Sequence, residues 1–160
     1  MRFVVLPLLL VAPLSLCAQR IKVEFDTSRD FSTFRTFRLL SGKINSRNPT
    51  LNNGLVAQKI DGLIRQYLSA RGLTEVPSEP DLNVIYSLGS GRRKEIESYG
   101  PGWITIHYTE GTLVLNLRDA RRHVLVWRSI AVEDKNDAAK IRASLDAMVR
   151  KSFEKYPPKP

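Results

Sequence analysis

Cysteine is almost absent from this 160-residue sequence, because Cys17 is the only one. It lies at the end of an apolar N-terminal run, outside the part that can fold as a domain. If Cys17 is cleaved off with that run, or carries a lipid, the folded part keeps no free thiol. A disulfide framework, a thiolate metal site and a cysteine nucleophile are then excluded. A domain without cysteine suits an oxidising compartment of the cell envelope.

Histidine is also scarce, with only His107 and His123. Neither lies at metal-ligand spacing from another His or a Cys, and no nucleophile elbow, zinc-protease motif or P-loop occurs. We therefore expect a protein that is not an enzyme, with no catalytic residue, no metal site and no cofactor. The alternative is a hydrolase or transferase with a site near His107, Glu110 and the loop around Arg92.

No apolar run is long enough to cross a bilayer, which takes about 20 residues. Arg2 precedes an apolar stretch at residues 3–16 that Pro7 and Pro13 interrupt. A short positive segment followed by such a stretch is typical of a secretory signal peptide. We predict a signal peptide at residues 1–18 and one domain at residues 19–160.

Two ways of removing this signal are open. Cleavage after Ala18 releases a soluble periplasmic protein that begins at Gln19. Cleavage before Cys17, with lipidation of its thiol, gives a membrane-anchored lipoprotein instead. A bacterial lipoprotein signal has a small residue directly before the cysteine, whereas Leu16 stands there, so soluble release is favoured. Either route predicts an exported protein without a transmembrane helix in its mature chain.

Acidic residues are outnumbered, since 25 Lys and Arg face 16 Asp and Glu and give a formal net charge of +9. Such a basic chain often binds nucleic acid. Export argues against that partner, so we expect no nucleic acid. An anionic envelope surface, a glycan or a protein is the expected partner, and the alternative is a basic surface without one.

Hydrophobic periodicity predicts the fold. Alternation with a period of two predicts strands at 21–25, 36–39, 82–88 and 103–108, and a central hairpin within 111–133. In the first of these strands, we expect Ile21, Val23 and Phe25 to face the core. In the second strand of that hairpin, residues 124–132, apolar side chains on both faces and Trp127 as a core anchor indicate an interior position. Apolar steps of three and four predict long helices at 51–71 and 137–153. The apolar stripe of the first includes Leu55 and Val56, and that of the second consists of Ile141, Leu145, Met148, Val149 and Phe153. The order predicts an α+β fold, a single two-layer domain with a largely antiparallel sheet and two long helices on one face.

The remaining segments, 41–50 and 89–102, are polar and rich in turn-forming residues, and predict loops. The second loop carries Arg92, Arg93 and Lys94, with Tyr99 and Trp103 close behind. Arg and aromatic side chains anchor many recognition surfaces, and loops on a rigid sheet often carry binding sites. These five residues are the candidate partner-binding site, and the alternative is a solvated hairpin tip.

Three polar residues lie next to the apolar strands, namely Asp81, Asp119 and Arg128. They could form a functional ion pair. More often such residues start strands, shape turns or satisfy backbone groups, and we favour that interpretation.

Four blocks of the sequence suggest a known family. They are Asp30-Phe31-Ser32-x-Phe34-x-Thr36-Phe37, Pro80-Asp81-Leu82-x-Val84-x-Tyr86, the stretch 111–120 followed by Val126-Trp127-Arg128, and Phe153-x-x-Tyr156-Pro157-Pro158. Together they resemble the bacterial envelope family called domain of unknown function 4136, in which many members are lipoproteins. The resemblance implies an exported α+β domain with no established activity, and it supplies no catalytic residues. The turn Arg121-Arg122-His123 departs from the glycine that the family often carries there.

Overall fold

The structure is a computed structural model that describes residues 19–89, 93–99, 102–108, 111–133 and 137–159, with backbone alone for 93–99 and 102–108. Its elements are β1 (Arg20–Phe25), a 3₁₀ turn (Phe31–Thr33), β2 (Thr36–Leu39), β3 (Lys43–Asn45), α1 (Gly54–Ser69), β4 (Thr74–Glu75), β5 (Leu82–Gly89), β6 (Arg93–Tyr99), β7 (Gly102–Tyr108), β8 (Thr112–Asp119), β9 (Val124–Val132) and α2 (Ala138–Phe153).

Seven of the described strands form one mixed sheet in the order β1-β9-β8-β5-β2-β4, with β3 also paired to β5. The pairs β1–β9, β9–β8 and β8–β5 are antiparallel. The pairs that β2 and β3 make with β5, and β2 with β4, are parallel, because α1 carries the chain back across the sheet between them. The predicted α+β fold with a largely antiparallel sheet is confirmed, and the parallel pairs are an addition to it.

Both helices begin at side-chain caps. Asn53 accepts a hydrogen bond from the backbone N–H of Val56 at 3.1 Å, so α1 starts at residue 54 rather than at the predicted 51. Asp137 accepts from the backbone N–H of Ala139 at 2.8 Å and caps α2 itself. Gly72 has a φ of 81°, the left-handed conformation expected just after a helix.

The two helices pack on one face of the sheet, where a single core cluster contains side chains from both. Trp127 is fully buried in it, as predicted. Leu55 was expected on the buried stripe of α1, but 68% of its surface is exposed. It lies one turn from Lys59, on the polar side of the helix, so the stripe begins at Val56 instead.

The predicted loop at 41–50 contains the short strand β3. Residues 43–45 pair with the end of β5, whereas β2 pairs with its start. Gly42 joins the two pairings, and a Cβ at this position would overlap the ring of Tyr86. A glycine is therefore required for the chain to pass the Tyr86 ring between β2 and β3.

The predicted loop at 89–102 is also wrong in part, because Arg93–Tyr99 forms β6. This strand pairs antiparallel with β7 in a two-stranded sheet, with Lys94 opposite His107 and Ser98 opposite Trp103. The mostly polar residues of β6 give little alternation, so the sequence pattern does not indicate a strand there.

Candidate binding surface

Asp81 joins β2 to β5 at one end of the sheet. Its Oδ2 accepts hydrogen bonds from the backbone N–H of Arg35 at 2.9 Å and of Thr36 at 3.0 Å, and from Thr36 Oγ1 at 3.0 Å. The pKa of the Asp81 carboxyl is lowered, and the hydrogen bond from the N–H of Arg35 is the largest cause. Burial acts to raise the pKa, but the donors of Arg35 and Thr36 together outweigh it. Asp81 is thus a structural anchor.

Asp119 has the same role at the β8–β9 turn, and is 4% exposed. Its Oδ1 accepts from the backbone N–H groups of Arg121 and Arg122, each at 3.0 Å. Burial acts to raise the pKa of the Asp119 carboxyl, but these N–H groups and the Arg122 guanidinium outweigh it and lower the pKa. The N–H of Ala120 donates to the carbonyl of Asp81 at 2.8 Å and joins the two anchors.

The third embedded polar residue, Arg128, does not join this pair of anchors. It lies opposite Asn116 in the β8–β9 register. Asp119 lies opposite Val124, which is four residues away from Arg128 along β9. Arg128 is 1% exposed, and its Nε donates to Asn116 Oδ1 at 2.8 Å. The hypothesis of a functional ion pair among the three residues is therefore not supported, and the structural interpretation fits better.

An aromatic cluster lies beneath the same end of the sheet. Trp127 stacks on Phe153, and Tyr156 lies edge-on to Trp127 at 5.7 Å and to Phe31 at 5.9 Å between ring centroids. Phe31, Trp127, Phe153 and Tyr156 come from three of the four sequence blocks described above. These blocks are far apart in the chain and meet here.

The C-terminal segment after α2 leaves this cluster and runs beside β1. Tyr156 is buried, and its carbonyl accepts from Arg71 Nε at 2.8 Å. Lys155 Nζ donates to the carbonyl of Ile21 at 3.1 Å. Residues 154–159 are therefore held in place as a wall along the outer edge of the strand.

Between this wall and β1 lies a groove made of three adjoining depressions of about 490, 330 and 360 Å³. We call it the β1 groove. Phe25, Pro157 and Pro158 line both the first and the second depression, and Glu154 and Lys155 both the second and the third. The groove therefore follows the whole strand.

Phe25 is the main apolar contact surface of the groove. The sequence predicted that it faces the core, but 36% of its surface is exposed. It makes an edge-on contact with Phe31 at 6.2 Å between centroids, and the last residue of an edge strand has no neighbouring strand to cover it. The sequence signal for this site was weak, since Phe25 simply continues the alternation of Ile21 and Val23.

The candidate residues named from the sequence lie elsewhere. Arg93, Lys94 and Tyr99 are in β6 and Trp103 is in β7, whereas Cys17, Arg92 and Glu110 lie outside the described residues. His107 is in β7, and His123 is exposed at the β8–β9 turn with a φ of 58°. Within the described ranges, no three His, Cys, Asp or Glu side chains converge as a metal centre would need.

Comparisons with known proteins agree with this architecture. The family model of the domain of unknown function DUF4136 matches residues 21–158, so the chain belongs to that family. No curated protein matches the sequence. In the described part of the chain, no helix is long and apolar enough to span a membrane.

Two solved structures share the fold. A DUF4136 family protein from Bacteroides thetaiotaomicron superposes with a TM-score of 0.65 at 15% identity, covering 87% of this chain and 96% of the other. A point variant of the PelC dodecamer from Paraburkholderia phytofirmans gives a TM-score of 0.51 at 10% identity, covering 85% of this chain and 95% of that one.

Proposed function

We propose that the protein is an exported, non-catalytic module of the cell envelope that binds a protein, glycan or lipid surface through the β1 groove. The observation that carries this proposal is the groove itself. It is continuous along an edge strand, has Phe25 and two prolines at its apolar end, and has a wall fixed by Tyr156 and Lys155. Preformed concave surfaces with exposed aromatic side chains are typical of binding sites.

The apolar N-terminal run supports an exported location, because such a run is typical of a secretory signal peptide. The proposed mature chain begins at Gln19, directly before β1, so the groove belongs to the first element of the exported domain. Intact-mass measurement of the exported protein tests this step. A mass beginning at Gln19 supports soluble periplasmic release, whereas a diacylglyceryl group on Cys17 means a membrane-anchored lipoprotein.

Binding is tested with the immobilised mature chain and three probes, namely phosphatidylglycerol vesicles, purified peptidoglycan and solubilised envelope proteins. We expect one of these to be retained, and Phe25→Ser to weaken its retention roughly tenfold. Leu55→Ser is the matched control, because it removes an exposed apolar side chain from α1, away from the groove. Retention of none of the three probes, or equal effects of the two substitutions, contradicts the proposal.

A further inference from the structure

We propose that the outer edge of β1 binds an acidic, extended peptide segment of a partner protein, which joins the sheet as a further strand. This inference rests on the proposed function and narrows its ligand to a peptide. It is carried by the direction of the β1 backbone groups, by the length of the groove and by the charge of its wall.

The backbone groups of β1 alternate between its two edges. The N–H of Asp26 donates to the carbonyl of Val126 at 2.9 Å, and the two residues continue the register in which Phe25 lies opposite Trp127. Hydrogen-bonded and non-hydrogen-bonded pairs alternate in an antiparallel ladder. Lys22 and Glu24 therefore bond to β9, whereas the N–H and C=O groups of Val23 and Phe25 point away from it.

A second contact confirms this direction. Ile21 has the same parity as Val23 and Phe25, and its carbonyl accepts a hydrogen bond from Lys155 of the opposite wall. Among the described strands, β1 pairs with β9 alone and forms one end of the sheet. Val23 and Phe25 thus offer a new strand the alternating donors and acceptors that strand addition uses.

The groove matches a peptide in length. The six residues of β1 extend over about 20 Å at roughly 3.3 Å per residue, and the three depressions follow that length. The apolar end of the groove, lined by Phe25 of β1 and by Pro157 and Pro158 of the wall, can cover alternate side chains of an added strand. A peptide of about six extended residues therefore fits, with main-chain hydrogen bonds for affinity and the wall for selectivity.

The charge of the groove selects an acidic occupant. Lys151, Lys155 and Lys159 lie along it, and none of them forms an ion pair with a carboxylate of the described residues. Glu154 is already bound by Arg150 Nη1 at 2.6 Å. A second copy of the chain is less suited, because Lys and Arg outnumber Asp and Glu in each copy and like charges repel.

Amide hydrogen exchange on the mature chain tests this mode residue by residue. In the free protein, the N–H groups of Val23 and Phe25 should exchange quickly and those of Lys22 and Glu24 slowly. The probe is the peptide Glu-Val-Glu-Val-Glu-Val, which should protect Val23 and Phe25 when it binds. The same peptide N-methylated at alternate residues, which removes donors, and a Lys-Val version with reversed charge should each bind at least about tenfold more weakly.

A protein variant provides the second arm. Val23→Pro removes the outward N–H but keeps the pairing of Lys22 and Glu24 with β9, and Val23→Ala controls for the lost side chain. We expect the proline variant to lose peptide binding and the alanine variant to keep most of it. Melting curves serve as the control that both variants are folded. Equal binding of the N-methylated peptide, or unprotected Val23 and Phe25 in the complex, overturns strand addition.

The outcomes separate this inference from the proposed function. If Phe25→Ser abolishes envelope retention while Val23→Pro and N-methylation change nothing, the groove binds in another way and only strand addition fails. If neither substitution affects retention, both proposals fail. Protection of Val23 and Phe25 that grows with protein concentration, without peptide, identifies a second copy as the occupant and contradicts the peptide proposal.

Discussion

Trp127 and Phe153 stack with ring centroids 5.6 Å apart and ring planes within 8° of parallel. The pair joins β9 to α2 at the centre of the aromatic cluster. Both side chains are fully buried, so the contact holds one helix to the sheet directly beneath the β1 groove.

Trp127→Ala should lower the free energy of unfolding by about 3–5 kcal/mol, because it empties a large aromatic volume from a packed core. Trp127→Phe is the matched control. It keeps a ring against Phe153 and removes an indole N–H that has no hydrogen-bond partner among the described residues. We therefore expect Trp127→Phe to lower the free energy of unfolding by clearly less than Trp127→Ala. Chemical denaturation measures both, and a midpoint near wild type for the alanine variant contradicts this assignment.

Two glycines give opposite predictions for the same substitution. Gly42→Ala should destabilise by about 1–3 kcal/mol, since its Cβ meets the Tyr86 ring and the core must adjust. Gly62→Ala should stabilise by roughly 0.5–1 kcal/mol, because Gly62 lies inside α1, exposed, with no atom near the added Cβ. Thermal melts show whether each substitution raises or lowers the melting temperature. An unchanged melting temperature for Gly42→Ala contradicts the close approach of Gly42 to the Tyr86 ring.

The Asp119 turn predicts a pH dependence of stability. The folded-state pKa of Asp119 is lowered from its ordinary value of 3.8, so its stabilisation is present above that value and is lost as pH falls through the folded-state pKa. Asp119→Asn should cost about 1–2 kcal/mol at pH 7, and the difference from wild type should shrink below pH ~4.

Denaturation at pH 7 and at acidic pH measures this effect. Asp146→Asn, which removes a charge from an exposed position of α2, controls for net charge. A stability difference between wild type and Asp119→Asn that stays constant with pH contradicts the role of the carboxylate.

The parts of the fold that the sequence predicted are those with a buried face of regular period. The strands at 36–39 and 124–132 have the predicted bounds, and the stripe Ile141, Leu145, Met148, Val149 and Phe153 is buried as expected. β3 and β6 were not predicted, because one has three residues and the other is mostly polar. β3 pairs with β5, which lies far away in the chain, whereas β6 pairs with the next strand, β7, but its polar residues give no alternation that would indicate a strand.

The candidate site was harder to predict because it depends on long-range contact. Lys155 reaches Ile21 across 134 positions of sequence, and no local pattern indicates that the C-terminal segment runs beside β1. The exposure of Phe25 likewise follows from its place on an edge strand. Alternation identifies a strand but not whether a neighbour will cover it.

His107 tests the alternative of an enzyme. It lies in β7 opposite Lys94. We expect His107→Ala to retain the envelope probe as the wild type does, because binding through the β1 groove needs no titratable histidine. The measurement is the retention assay with melting temperature as the folding control. If a stably folded His107→Ala variant retained the probe but lost the protein's biological role completely, the hydrolase or transferase interpretation would be favoured instead.

The positive residues near β6 remain a second candidate surface. If Arg92, Arg93 and Lys94 attract an anionic envelope partner, replacing all three with Ser should weaken retention on phosphatidylglycerol vesicles or anionic glycan at low salt. The effect should fade as salt screens the charges, and the melting temperature should stay nearly unchanged. The matched control replaces Arg47, Lys59 and Arg142 with Ser, which removes the same charge from exposed positions outside the β1 groove. Equal retention of wild type and the Arg92/Arg93/Lys94 variant would exclude these residues, whereas a loss in both variants would show that net charge alone drives retention.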